Sequence, residues 1–442
     1  MNKVVTRIPP SPTGRLHIGT ARTALFNYLF ARHAGGSVVF RSEDTDRARS
    51  KKEYEDEIIE GLHWLGLSWD AFSRQSEHAP RHRELLEQIV AAGTAYVSKE
   101  ESKMEKGKMV EVVRLKNPGR SITFHDEIRG DITFDSTELG DFVIARAIDD
   151  PIYHFAVVAD DMDADITHVI RGEDHISNTT RQILIQEALG APRPAYAHLP
   201  LILDEKRAKL SKRSGTVLSL HDYRDEGFLP EAMVNYVALL GWSPGTDEEH
   251  FSLAELVKRF TLEGVQKGGA AWNREKLLSV NQRWMRELSD TDFIARGALE
   301  AVDEKVLRRA VPLLKERTRT FDEARELLSG ELSCLFSSPK FSREALVAKE
   351  CGTPTKPLLQ TLLVPLQDLP DNATPEIVKS VLMPLADAEE ARGKGGRGAL
   401  LWPFRYALSG QEKSPDPFTL VSLIGKEEAL ARVKKAIAIL EE

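Results

Sequence analysis

Apolar positions near the start of the chain follow first a strand period and then a helix period. The pattern predicts a strand at 3–8, a loop punctuated by Pro and Gly at 9–14, a helix at 18–31 and a second strand at 37–41. Ser50 and Glu53 then form a capping box for a helix that carries Ile58, Leu62 and Leu65 on one face. Strands that alternate with helices indicate a parallel sheet.

The pattern changes between 77 and 150 and later returns. This stretch predicts a helix at 83–92 and strand-like pieces at 110–115 and 132–134, which we interpret as an inserted subdomain. The parallel pattern resumes with a strand at 165–170, a helix at 180–189 closed by Gly190, and a strand at 198–203. One α/β domain is therefore split by an insertion.

Helical periodicity dominates from residue 229 onward, as in 230–240 and 321–328. The predicted fold class is α/β, with a Rossmann-type parallel-sheet domain, an inserted subdomain and a mostly α-helical C-terminal region. The predicted boundaries are 1–76 with 151–225 for the sheet domain, 77–150 for the insertion, 226–290 for a first helical region and 291–442 for a second.

Composition narrows the class of protein. The 442 residues are 41% hydrophobic and include only two cysteines, which excludes a disulfide framework and a four-thiolate zinc site. No apolar run approaches the roughly 20 residues of a membrane span, so we expect a cytoplasmic protein without a membrane partner. The net charge of −8 argues only weakly against nucleic acid, because 60 Lys and Arg are interspersed with the acidic residues.

The loop between the first strand and the first helix is a candidate phosphate site. In a parallel-sheet protein, backbone N–H groups at this position point toward an anion. Gly14 and Gly19 permit close backbone approach, and His17 can donate a hydrogen bond to a phosphate oxygen. Taken alone, the segment is equally compatible with a Pro-rich turn that leaves His17 exposed.

A basic segment at 209–215 is a second candidate. It follows a predicted strand and is suited to holding polyphosphate, because it combines cations and a hydroxyl before Gly215: Lys209, Ser211, Lys212 and Arg213. Taken alone, it would more often be a solvated basic loop.

The two segments in this order resemble the HIGH and KMSKS elements of class I aminoacyl-tRNA synthetases. Further segments resemble glutamyl-tRNA synthetases of the bacterial type, and the resemblance covers nearly the whole chain. They are 7–14, 43–47, 170–175, 238–244 and, less specifically, 398–410.

The resemblance implies ATP-dependent ligation of L-glutamate to the 3′ end of tRNA(Glu) through a glutamyl-adenylate, with release of AMP and pyrophosphate. ATP with Mg²⁺ and tRNA(Glu) are the implied cofactors and partner, and the family suggests a monomer. It further implies that 77–150 binds the acceptor end, 226–290 contacts the tRNA stem and 291–442 binds the anticodon. Whether tRNA(Gln) is also a substrate stays open.

The family's motifs assign roles to individual positions. The implied catalytic residues are His17, Lys209 and Lys212. The implied ATP-binding residues are Pro10, Ser11, Thr13, Gly14, His17, Gly19, Thr20, Glu173, His175, Lys209, Ser211, Lys212 and Arg213. The implied glutamate-binding residues are Arg7, Ser11, Glu43, Tyr153 and Arg171. Candidate tRNA contacts are Asp44, Arg47, Arg392, Lys394, Arg397 and Arg405, with Trp402 and Phe404 as stacking candidates. Taken alone, 398–410 is instead an amphipathic helix with Phe404 and Leu408 on its core face.

Several of these residues also have structural interpretations. Arg7 or Arg171 could pair across the sheet with Glu43 or Glu173, and Tyr153 could be a core aromatic. The physical chemistry nevertheless suits the substrate, because a glutamate needs a guanidinium for its side-chain carboxylate and an anion for its amine. Phosphoryl substitution mainly needs positioning and charge stabilisation, which agrees with the lack of a recognisable nucleophile triad signature.

The chain departs from the family in places. The insertion lacks the Cys-rich element that many members carry, so we expect no zinc and no other resident metal. Thr20 stands where the HIGH element has its second histidine, and 271–279 differs from the family's usual aromatic residues.

Three rival interpretations are a related tRNA-directed ligase, a catalytically silent RNA-binding protein and a small-substrate nucleotidyltransferase. A glutaminyl enzyme would need a neutral amide pocket, which Arg171 disfavours, and the shortened tRNA-modifying paralogue lacks the C-terminal half that this chain has. A catalytically silent RNA-binding protein would be expected to lose His17, Lys209 and Lys212. A small-substrate nucleotidyltransferase has no use for the long helical tail.

Overall fold

The computed structural model describes residues 3–101, 107–204, 206–208, 219–300, 303–347, 354–392 and 396–441. The chain forms two compact units, Met1–Asn281 and Gln282–Glu442. In the first unit the described strands are β1 (Val5–Ile8), β2 (Ser37–Ser42), β3 (Ala71–Arg74), β4 (Ala95–Glu101), β5 (Met109–Leu115), β6 (Ser121–Asp126), β7 (Gly130–Asp135), β8 (Phe142–Ala147), β9 (Asp150–Pro151), β10 (His168–Gly172), β11 (Ala195–Leu199), β12 (Ile202–Leu203) and β13 (Ala270–Ala271).

The described helices run through both units. They are α1 (Ile18–His33), α2 (Lys52–Trp64), α3 (Ala79–Ala91), α4 (Tyr153–Asp163), α5 (Ile176–Leu189), α6 (Leu220–Asp225), α7 (Pro230–Leu239), α8 (Leu253–Arg259), α9 (Arg274–Glu287), α10 (Asp290–Arg296), α11 (Glu304–Arg317), α12 (Phe321–Ser329), α13 (Arg343–Leu346), α14 (Thr355–Thr361), α15 (Leu363–Gln367), α16 (Pro375–Ala391), α17 (Gly398–Ser409), α18 (Pro417–Ile424) and α19 (Lys426–Ile439).

Parallel strands form the centre of the first unit. β1 pairs with β2 and β2 with β3, while β10 pairs with β11, all in parallel. β1 lies beside β10, because the Thr167 N–H donates to the Val5 carbonyl over 3.0 Å. The strand order is therefore β3-β2-β1-β10-β11. The chain runs outward from β1 in one direction and from β10 in the other, and such a reversal opens a crevice at the carboxyl ends of the strands.

The segment between β3 and β10 forms mainly antiparallel structure. β4, β5, β8 and β9 make one antiparallel sheet, and β6 pairs with β7. β6 also joins the parallel sheet, since Asp126 lies opposite Tyr196 of β11. The insertion is thus attached to the sheet through its own strand.

Helix α1 is covered on several sides. It contacts β1, β2 and β10 of the sheet and also α7 and α8. Phe26 of α1 meets Phe260 edge to face, with ring centroids 5.1 Å apart, and Phe260 stacks on Trp242. This packing explains why α1 is rich in buried apolar residues around its circumference rather than on one stripe.

The structure confirms the predicted fold class: a parallel sheet interrupted by an insertion is followed by a unit whose described regular elements are helical. The predicted capping box is wrong. Helix α2 begins at Lys52 with Lys51 as its N-cap and no side-chain cap, while the Ser50 hydroxyl is buried without a hydrogen-bond partner in the described structure. The pattern of apolar residues did not predict β3, because this strand has few apolar residues and half of it is exposed.

No helix among the described residues is long and apolar enough to cross a membrane.

The second unit contains a buried arginine that joins three of its segments. Arg432 of α19 is 5% exposed and donates to the carbonyls of Cys334 and Leu408 over 2.8 and 2.7 Å, and to that of Ser337 over 3.2 Å. Buried carbonyls that lose a donor raise the free energy of the folded state.

We predict that Arg432→Ala lowers the free energy of unfolding of this unit by about 3 kcal/mol, because three carbonyls lose their donor. For a unit of this size, scanning calorimetry should show a Tm lower by roughly 6 to 12 °C. Lys434→Ala, an exposed position on the same helix, is the matched control and should leave Tm unchanged. Equal Tm values for the two variants would contradict the prediction.

Candidate active site

A cavity of about 560 Å³ lies at the carboxyl ends of β1 and β10, where the strand order reverses. The first loop, the start of α1, the end of β2, the start of α4 and the segment after β10 line it. All five predicted glutamate-binding residues line this cavity: Arg7, Ser11, Glu43, Tyr153 and Arg171. The predicted ATP-binding residues that line it are Pro10, Ser11, Thr13, His17, Gly19, Thr20 and His175.

The first loop is held by backbone hydrogen bonds. The Glu43 N–H donates to the Pro10 carbonyl and the Lys51 N–H to the Pro12 carbonyl, each over 2.9 Å. These contacts attach the loop to the segment that follows β2 and leave the exposed Ser11 on the cavity wall.

His17 is the N-cap of α1. Its Nδ1 accepts the Thr20 N–H over 3.2 Å, so the neutral ring carries its proton on Nε2, which lies 3.0 Å from the Thr20 hydroxyl. A Cβ on Gly19 would stand 3.1 Å from the ring, so glycine gives the ring its space. Thr20, the departure from the family's motif, therefore orients the histidine of that motif.

Arg171 is buried and donates to three neutral acceptors. Its Nη1 reaches Gln182 Oε1 and its Nη2 reaches Thr179 Oγ1, both over 2.7 Å, and its Nε reaches His198 Nε2 over 3.2 Å. Burial lowers the pKa of Arg171 below its ordinary value, while Tyr153 opposes the shift. A guanidinium without a carboxylate partner in the described structure is suited to bind an anionic ligand.

Arg7 belongs to a separate ion cluster. Asp161 of α4 accepts from Arg7 Nε over 3.4 Å and from Arg41 Nη1 over 2.7 Å. Arg41 also donates to Glu43 Oε1 over 3.1 Å. Burial would lower the pKa of Arg41, but Asp161, Glu43 and Asp160 more than compensate and raise it.

Glu43 and Tyr153 share the electrostatic field of this cluster. Burial raises the pKa of Glu43, and Arg41 offsets part of that rise. Tyr153 is 37% exposed, but partial desolvation by the surrounding protein, together with Glu43, raises the pKa of Tyr153 to about 12. Tyr153 therefore offers a neutral hydroxyl at neutral pH, and a cationic ligand group beside Glu43 would stabilise its carboxylate.

Glu173 and Gly14 do not line the cavity. Glu173 accepts the Leu201 N–H over 2.8 Å and forms an ion pair with Arg129. The structure therefore places Glu173 in the support of the 200–202 segment, which itself lines the cavity.

Lys209, Ser211, Lys212 and Arg213 lie outside the described residues, as does Lys394. Their predicted roles stay predictions.

Two further residues, Arg22 and Asp174, line the cavity and were not among the predicted site residues. Arg22 is buried, donates to the carbonyls of Leu240 and Pro200, and burial lowers its pKa to about 10, with Glu173 opposing. The sequence does carry a signal for Arg22, because it lies among apolar residues in the first half of a helix with many buried positions, where a charged side chain needs polar partners.

The predicted tRNA contacts in the first unit lie near one another in sequence but differ in exposure. Asp44 accepts from the Ser76 backbone and hydroxyl over 2.8 and 2.6 Å, whereas Arg47 is exposed.

The described C-terminal candidates are mostly paired. Arg392 forms an ion pair with Glu389, and Arg397 contacts Asp387 and Glu390 over 2.7 and 2.9 Å. Arg405 donates to the Glu412 carbonyl over 2.7 Å and lies 4.8 Å from the Trp402 ring. Phe404 is fully buried. Its prediction as a stacking partner is therefore wrong, while its prediction on the core face of an amphipathic helix is confirmed.

Three potential metal ligands, His78, His82 and Asp160, lie within 4.8 Å of one another. Asp160 Oδ1 is 2.9 Å from His78 Nδ1 and 2.6 Å from His82 Nε2, and Asp160 Oδ2 accepts from Gln75 over 2.7 Å. Hydrogen bonds therefore account for the cluster as it stands.

Comparison with known proteins agrees with this fold and site. Residues 3–111 and 98–279 match the family model described as the catalytic domain of class I tRNA synthetases (E and Q), and 266–437 match an anticodon binding domain. The fold and cavity are thus those of a class I aminoacyl-tRNA synthetase.

Individual relatives narrow the family. The chain is 40% identical to a glutamate–tRNA ligase of Geobacter sulfurreducens, over an alignment of 478 positions that covers the whole of both chains. A crystal structure of a glutamate tRNA ligase from Elizabethkingia meningosepticum, in complex with its amino acid, superposes with a TM-score of 0.84 at 32% identity, over 99% of this chain and all of that one. The corresponding enzyme of Elizabethkingia anophelis gives 0.80 at 32% identity, with the same coverage. The chain belongs to the glutamate–tRNA ligase family.

Two histidines, His175 on the cavity wall and His154 next to Tyr153 in the chain, should stay neutral at mildly acidic pH. Burial lowers the pKa of His154 and of His175 to about 4, assisted by Arg181 and Arg171 respectively. The unfolded chain takes up these protons near pH 6.5, before the folded chain does. We therefore predict that each histidine makes the free energy of unfolding fall as pH drops from about 6.5 to 4.

Ring chemical shifts measured by NMR, assigned with His154→Gln and His175→Gln, check this prediction. Both rings should remain neutral at pH 5.5. Titration midpoints near 6.5 for these two rings would contradict the prediction.

Proposed function

We propose that this protein ligates L-glutamate to the 3′ end of tRNA(Glu) in two steps. The glutamate α-carboxylate attacks the α-phosphorus of ATP, pyrophosphate leaves, and the terminal ribose hydroxyl of the tRNA displaces AMP from the glutamyl-adenylate. The observation that carries the proposal is that one cavity gathers all five implied glutamate-binding residues beside the His17 loop.

The arrangement of charges suits glutamate. Arg171 has five N–H groups, of which three reach protein acceptors, so two remain to bind the side-chain carboxylate of the substrate. Glu43 offers a buried carboxylate for the α-ammonium group, and Tyr153 offers a neutral hydroxyl. Glutamine would leave the charge of Arg171 without an anion, which a desolvated pocket penalises.

The start of α1 suits the phosphates of ATP. Backbone N–H groups at a helix N-terminus attract anions. The Nε2–H of the oriented His17 ring can exchange the Thr20 hydroxyl for an oxygen that gains charge as the bond to pyrophosphate breaks. Lys209 and Lys212 would neutralise the leaving pyrophosphate. Mg²⁺ would enter with ATP and neutralise charge on its phosphates.

The second unit is proposed to contact the anticodon of the tRNA, which its match to an anticodon binding domain supports. The insertion would contact the acceptor end and 226–290 the stem. Exposed arginines such as Arg397 could exchange their carboxylate partners for phosphates.

Charging assays test the proposal directly. Purified protein, ATP and Mg²⁺ are combined with radiolabelled glutamate or glutamine and with either tRNA(Glu) or tRNA(Gln). We predict glutamate on tRNA(Glu) and no glutamine on either tRNA. Glutamate on tRNA(Gln) as well would show a non-discriminating enzyme, and no charging in any combination would refute the proposal.

Removal of the Arg171 guanidinium should chiefly impair glutamate recognition. We predict that Arg171→Ala lowers kcat/KM for glutamate by on the order of 100-fold or more, because the substrate carboxylate is buried without a partner. The KM for ATP should change little. Arg193→Ala, which removes an exposed arginine after α5, is the control, and an equal effect of both variants would place glutamate recognition elsewhere.

A further inference from the structure

Arg171 and His198 occupy facing positions in the sheet. Their Cα atoms are register partners in the parallel pair β10–β11, so both side chains lie on the same face. Arg171 Nε donates to His198 Nε2 over 3.2 Å, and the His198 side chain is fully buried. The ring is thus the nearest support of the guanidinium on its Nε side.

This contact determines the tautomer of His198. A guanidinium can only donate, so Nε2 accepts and the proton of the neutral ring is on Nδ1. Nδ1 lies 2.6 Å from Asp126 Oδ2, to which it donates. Burial lowers the pKa of His198, although Asp126 opposes the shift, and this agrees with a neutral ring.

Asp126 is itself immobilised at the point where the insertion joins the sheet. It is fully buried and accepts the backbone N–H groups of Arg129, His198 and Ile128 over 2.9, 3.1 and 3.1 Å. Burial alone would raise the pKa of Asp126, but His198 and these N–H groups lower it. A rigid carboxylate therefore fixes the ring, and the ring fixes one edge of the guanidinium.

The neutrality of the ring matters as much as its position. Thr179 and Gln182 each accept one N–H from the Nη atoms of Arg171, and both acceptors are also neutral. A carboxylate placed directly on Arg171 would compete with an anionic substrate, whereas an imidazole orients the guanidinium and leaves its charge uncompensated. The His198 ring separates the negative charge of Asp126 from the guanidinium of Arg171.

We propose that His198, anchored by Asp126, is a positioning residue that sets the orientation of Arg171 and thereby selects glutamate over glutamine. This inference rests on the proposed function, in which Arg171 binds the substrate's side-chain carboxylate. Its sequence signal is weak, because Asp126 and His198 are 72 positions apart and only the tertiary structure brings them together.

Two substitutions at one position separate the two contacts of the ring. In His198→Gln, Oε1 takes the place of Nε2 and still accepts from Arg171, while the contact with Asp126 is lost. In His198→Asn, the amide takes the place of Nδ1 and still donates to Asp126. Arg171 Nε then loses its acceptor, and the Thr179 hydroxyl loses its 3.1 Å contact with Nε2. Both variants remove buried hydrogen bonds of this ring, so both Tm values should fall.

Initial rates of tRNA charging at varied glutamate, glutamine and ATP give the readout. We expect His198→Asn to raise the KM for glutamate about tenfold and to lower the ratio of kcat/KM for glutamate over glutamine about tenfold, with kcat and the KM for ATP within about threefold of wild type. His198→Gln should keep the KM for glutamate within about threefold. Leu86→Ala, a core change on α3 outside the cavity, should lower Tm without changing KM.

Equal KM values for His198→Asn and wild type would overturn the inference, as would equal increases in both His198 variants, since those would reflect lost stability alone. Failure of the proposed function would look different, because wild-type protein would then not charge tRNA with glutamate at all.

Discussion

The adjacency of β1 and β10 is the constraint on which the site depends. Thr167, just before β10, donates its backbone N–H to the Val5 carbonyl and accepts the Val5 N–H on its hydroxyl over 2.8 Å, although the two residues are 162 positions apart. This closure places Arg7 at the end of one strand and Arg171 at the end of the next. It also creates the reversal of strand order at which an open α/β sheet leaves a crevice. Without it, the loop that carries His17 would have no opposite wall.

Arg7 and Arg171, the two arginines implied to bind glutamate, differ in the partners that hold them. Arg7 shares Asp161 with Arg41, so its charge is partly compensated inside the protein. Arg171 has only neutral acceptors in the described structure, so its charge is directed toward a ligand. A buried charge without a counter-ion is unfavourable for folding. We interpret this cost as the origin of selectivity, because an anionic substrate removes it and a neutral one does not.

The sequence alone located much of this site. The resemblance to family motifs implies Arg7, Glu43 and Arg171 as glutamate-binding residues, and the structure brings them to one cavity. The sequence did not predict the residues that hold these side chains in place. Asp161 lies within an apolar helix, and Asp126 lies in the insertion, which suggested no link to the sheet. Their importance follows from contacts across 154 and 72 positions, which local patterns do not encode.

The chain by itself determined much of the order of elements and the interruption of the parallel sheet, because strand and helix periods and the loops between them are local properties. Its short motifs, through their resemblance to a known family, implied the class of chemistry. Only the tertiary structure decided which ionisable groups compensate one another and which stay available. That decision depends on distances of a few ångströms between segments far apart in sequence, and on burial that strengthens each charge interaction. Phe404 shows the same limit: the sequence allows it either to stack on a base or to lie on the core face of a helix, and only the packing of α17 decides for the core.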